Sequence, residues 1–103
     1  MVGEEEITVG NVYISKERTH CEDRSGRPLD ETTAKLQAEG IKVFAASCAV
    51  IIGKMPPALC GAVTLDINVH EIDQRKFPEA EALGYRPIAS LEDGLAFEVV
   101  DCE

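Results

Sequence analysis

The residues with the clearest chemical content lie in one alternating run. Thr64, Asp66, Asn68 and His70 are interleaved with Val63, Leu65, Ile67 and Val69. Period-two alternation is the signature of a β-strand, and alternate residues on one face stand roughly 6.6 Å apart. Histidine is the side chain whose ordinary pKa lies nearest neutrality, so His70 is the candidate for acid–base work. Asp66 is its candidate partner, able to orient Asn68 or, at longer reach, to favour the charged imidazole. Thr64 and Asn68 are candidate ligand contacts on the same row. The plainer readings of this row are a solvated sheet face or a dimer interface.

A second cluster is His20-Cys21-Glu22-Asp23. Each of these residue types can ligate a metal. Adjacent residues rarely converge on one ion, however, and no further pair has conventional ligand spacing. His20 is therefore kept as a candidate ligand contact, and no metal site is expected. The four cysteines, Cys21, Cys48, Cys60 and Cys102, show no CxxC or zinc-knuckle spacing. Free, buried thiols are the first expectation. A Cys48–Cys60 disulfide across a hairpin is the main competitor. A catalytic thiolate at Cys21 or Cys48 would need an electropositive pocket, and the chain has little positive charge. Neither GxGxxG nor GxxxxGK[ST] occurs, so no phosphate-cradling loop and no cofactor are expected.

The elements that must position these residues can be read along the chain. Ile7 to Ile14 is rich in β-branched residues and reads as a strand. The polar stretch through Pro28 is a loop. A helix follows, with Asp30 as its expected N-cap, Leu29, Thr33 and Leu36 on its inner side, and Gly40 closing it. Ile41 to Ile52 is apolar on both faces, and its flanking glycines and β-branched content favour a buried strand over a helix. The alternating strand ending at His70 comes next. Phe77, Ala80 and Leu83 then share one face of a short helix, with Pro78 in its first turn. Tyr85 to Ala89 reads as a brief strand. Asp93-Gly94 marks a turn before a last strand, with Leu95, Phe97 and Val99 inward.

This order, strand–helix–strand–strand–helix–strand, predicts an α+β fold of the ferredoxin-like βαββαβ type, an antiparallel sheet with two helices on one face. On that fold the polar row would lie on the face without helices. The 103 residues suffice for a single domain spanning 1–103 with one core.

Net charge is −9, and it is shared: residues 1–40 carry −4 and residues 41–103 carry −5. Phosphate backbones and anionic membrane surfaces attract basic patches, so neither nucleic acid nor membrane is an expected partner. The acidic start, with no apolar leader, and the absence of a long apolar run give a cytoplasmic expectation. The leading functional expectation is a non-enzymatic binding domain, homodimeric through its sheet or sheet edge. Two alternatives stand beside it. One is a small enzyme using His70 and Asp66 on an open sheet face. The other is an inhibitor or immunity-type protein that covers a basic protein partner. A small-molecule ligand over the polar row fits either of the first two.

Overall fold

The computed structural model describes residues 7–21, 26–55, 59–91 and 93–102. Strand β1 is Val9–Ser15, followed by helix α1, Leu29–Ala38, and strand β2, Val43–Ile52. Strand β3 is Asp66–Asp73, and a 3-10 turn at Gln74–Lys76 leads into helix α2, Phe77–Ala82. Strand β4 is only Arg86–Pro87; a second 3-10 turn, Ile88–Ser90, precedes strand β5, Ala96–Val100.

The five strands form one antiparallel sheet in the order β4-β1-β3-β2-β5. This overturns the ferredoxin-like βαββαβ expectation. The last long strand was expected to be the fourth; it is a fifth, and it pairs with β2 at the edge farthest from β4. The reason is local. Pro87 has no N–H with which to extend a ladder, so the strand beside β1 stops after two residues. The chain then turns through Ile88–Ser90, and β5 forms at the opposite edge.

Within the stretch 41–52, expected as a buried strand, Val43–Ile52 is a strand, but only Cys48 and Ala49 in it are buried, because among the described residues no element covers the exposed residues 44–46. Helix α1 departs from expectation at both its cap and its inner stripe. Pro28 occupies the N-cap, and Asp30 lies inside the first turn, where its charge complements the helix dipole. The buried stripe is Thr32 and Leu36, not Thr33. Helix α2 follows its sequence pattern: Ala80 is buried, and Phe77 and Leu83 pack beside it.

Two apolar clusters flank the sheet. One joins Val12, Ile14 and Ile72 to Leu36 of α1, Ala80 of α2 and Tyr85. The other joins Ala49, Ile67 and Val69 to Tyr13, Ile51, Ile88 and Phe97. Because side chains alternate along β1 and β3, these clusters occupy opposite faces. Strand β3 is therefore covered on both sides, and Ile67, Asn68, Val69 and His70 are all buried.

Candidate functional site

In β3 the polar residues Asn68 and His70 share a face with Ile72 and turn toward α1. The expectation of an open polar row is corrected here: α1 and the Tyr85 ring cover it, and both residues are fully buried. The cause is Thr32. It stands on the inner stripe of α1, and its hydroxyl meets His70 Nε2 at 3.1 Å and accepts from Asn68 Nδ2 at 3.1 Å. Thr32 Oγ1 also donates to the Leu29 carbonyl at 3.0 Å. A hydroxyl has one proton and two lone pairs. If the proton goes to Leu29, both neighbours must donate, which assigns the Nε2–H tautomer to His70. The Nδ1 lone pair is then left without a hydrogen-bond partner.

Further contacts close the network. Asn68 Nδ2 also donates to the Arg27 carbonyl at 3.1 Å. The Lys16 amine reaches Asn68 Oδ1 at 3.5 Å. Tyr85 donates its hydroxyl to the Thr32 carbonyl at 2.6 Å, and its ring meets His70 edge-on at 5.7 Å. Burial lowers the His70 pKa from 6.5 to about 4, opposed in part by the Leu29 carbonyl. Burial likewise raises the Tyr85 pKa. At neutral pH Thr32, Asn68, His70 and Tyr85 form an uncharged polar plug between helix and sheet, with the Lys16 amine at its margin.

Asp66 lies elsewhere. It is half-buried at the start of β3, about 13 Å along the strand from His70. Thr64 donates to its carboxylate at 2.6 Å. Asp66 lines an open groove of ≈ 420 Å³ with Lys16, Arg18, Val50, Val100 and Asp101. Two cations and two carboxylates face each other there, so the groove has no net charge. Thr64 and Asp66 are thus together and Asn68 and His70 are together, with Asp66 out of reach of His70 and Lys16 extending from the groove to Asn68.

His20 belongs to a third place. A short ladder joins residues 18–20 to 61–64, through Thr64 N to Arg18 O, His20 N to Ala62 O and Gly61 N to His20 O. Beside it Cys21 and Cys60 form a disulfide, with Cα atoms 5.2 Å apart. Cys48 pairs with Cys102 at a Cα distance of 5.4 Å. Both the free-thiol expectation and the Cys48–Cys60 pairing are therefore corrected. Cys48 is in the middle of β2, opposite Val100 of β5, and the chain just past β5 brings Cys102 to it. Among the described residues no group of three His, Cys, Asp or Glu side chains is placed to share an ion.

Compared with family models, curated proteins and solved structures, the chain matches none. The surface most plainly available is β5, which ends the sheet order and, among the described residues, pairs on one side only. Val99, expected on the inward side of the last strand, is instead 60% exposed, Val100 is 37% exposed, and Glu98 is the strand's only charged residue.

Sequence reading missed Thr32 and Tyr85. Thr32 did carry a signal, since Leu29, Thr32 and Leu36 follow i, i+3, i+7 spacing. A polar residue on an apolar stripe implies a buried partner. Tyr85 carried no comparable signal, because its contacts come from elements far away in the chain.

Proposed function

We propose that this chain is a small non-enzymatic interaction domain that self-associates by strand pairing through the outer edge of β5. The observation that carries the reading is that edge. Natural sheets usually blunt their edges with lysine, proline, a bulge or a covering element. Strand β5 has no lysine or proline, and among the described residues no strand pairs with its outer edge. A copy of the same strand offers complementary N–H and C=O groups. A two-fold antiparallel pairing centred on Glu98 sets Phe97 of one copy opposite Val99 of the other, a favourable aromatic–β-branched pair. Glu98 then faces its own copy, which limits affinity and makes a reversible dimer the natural outcome.

The acid–base alternative has less support, because His70 is buried and no substrate reaches it without displacing α1. The two disulfides favour an oxidising compartment over the cytoplasm. Among the described residues no helix is long and apolar enough to cross a membrane.

Sedimentation velocity over a concentration series tests the dimer. The native chain should pass reversibly from monomer to dimer, and Val99→Lys should remain monomeric with an unchanged circular dichroism spectrum. Raising the salt concentration should strengthen the dimer, since each copy carries −9. A strict monomer at every concentration, or an equally dimeric Val99→Lys, would overturn the reading.

A further inference from the structure

The sheet face turned away from α1 carries an arrangement that strand pairing does not use. Tyr13 and Ile51 form part of the apolar cluster on this face. With Leu91 and Leu95 they floor a groove of ≈ 250 Å³, and Lys54 and Arg86 stand in its lining. Arg86 is the cross-strand partner of Tyr13, so pairing register fixes its backbone beside the ring. In a chain of net charge −9, this groove is lined by two cations and, among the described residues, by no acid. Asp93 lies in the turn between Leu91 and Leu95, is exposed and is not part of the lining. Among the described residues, neither Lys54 nor Arg86 is ion-paired.

The cationic character continues past Arg86. A neighbouring groove of ≈ 400 Å³ shares Tyr13 and Arg86 and adds Arg27, against a single carboxylate, Glu17. Arg27 is already engaged there: its Nη2 donates to the Ser15 carbonyl at 2.6 Å and lies 3.3 Å from Glu17. Among the described residues, the positive charge of these two grooves without an ion pair is thus at Arg86 and Lys54, and Arg86 also borders a smaller groove with Glu81.

We propose that this groove binds a small organic anion with an apolar body, held by Arg86 and Lys54 at its charged head and by Tyr13, Ile51, Leu91 and Leu95 along its body. The chemistry favours this class. A guanidinium takes a carboxylate or sulfonate in a two-pronged hydrogen bond. An aromatic floor favours a ring or acyl chain. The volume lies below the roughly 300 Å³ where drug-sized sites begin, which selects a compact aromatic body or a medium acyl chain. A polyanion is disfavoured by the chain's net charge of −9.

The test uses anilinonaphthalene sulfonate, an aromatic body with one anionic head, titrated against the native chain at neutral pH. Saturable one-site fluorescence enhancement is expected. The double variant Lys54→Gln/Arg86→Gln should weaken it about tenfold or more, the cost of losing charge-assisted hydrogen bonds. Lys35→Gln, an exposed change on α1, should leave it unaltered. Decanoate should displace the probe and decanol should not. Val99→Lys should bind as the native chain does, which separates this site from the β5 edge. Circular dichroism must show every variant folded as the native chain. Absent saturation, undiminished binding by the double variant, or equal displacement by decanol would overturn the proposal.

Discussion

His70 stays neutral in the folded chain because α1 and Tyr85 remove it from water. Its folded pKa of about 4 lies below the ordinary 6.5. Between those values the unfolded chain takes up a proton that the folded chain refuses. The contribution is therefore complete above pH 6.5 and is lost as pH falls toward 4, amounting to roughly 3 kcal/mol at the limit. Urea midpoints between pH 7 and pH 4.5 should fall steeply for the native chain. His70→Gln keeps a donor toward Thr32 and has no titrating ring, so its midpoints should lose that part of the slope. Equal slopes in the two proteins would show that other groups govern acid sensitivity. The row's polar character was legible in the sequence, but its burial was not. Alternation identifies two faces of a strand and does not say what packs on each.

The sheet edges show a second kind of dependence. Gly53 follows β2 with a φ of +104°, and a Cβ there would collide with the Gly94 carbonyl oxygen. Glycine is needed twice over, for the left-handed backbone and for the close approach of the turn before β5. Gly53→Ala should destabilise the chain by more than about 1 kcal/mol, read as a lower urea midpoint. Gly61 is a fair comparison, since it also has positive φ but has nothing within 4 Å of an added Cβ. Gly61→Ala should cost less; an equal cost would mean backbone strain alone accounts for the effect. The sequence marked both flanks of β2 and the Asp93-Gly94 turn. It did not show that these glycines meet, because the β2–β5 pairing bridges more than forty residues.

At the scale of the whole molecule, the disulfides tie distant parts of the chain together. They close loops with sequence separations of 39 and 54. On loop-closure entropy each contributes about 4 kcal/mol at most. Thiol titration in denaturant should find no free thiol before reduction and four after it. Reduction should lower the thermal midpoint sharply. Free thiols in the unreduced protein would contradict the pairing and restore the cytoplasmic expectation.

Local chemistry was enough to determine several features. The apolar alternation, the Pro78 start of α2, the strand at 43–52 and the shared acidity follow from neighbouring residues, whose spacing is visible in a linear chain. Tertiary structure alone decided the features that turn on long-range choice. Two of them are the β5 pairing at the far edge and the partners of the four cysteines. The Thr32 hydroxyl over His70 and the gathering of Lys54 and Arg86 beside Tyr13 are the others. In each case residues dozens of positions apart compete for one place, and packing selects among pairings that the sequence pattern permits equally.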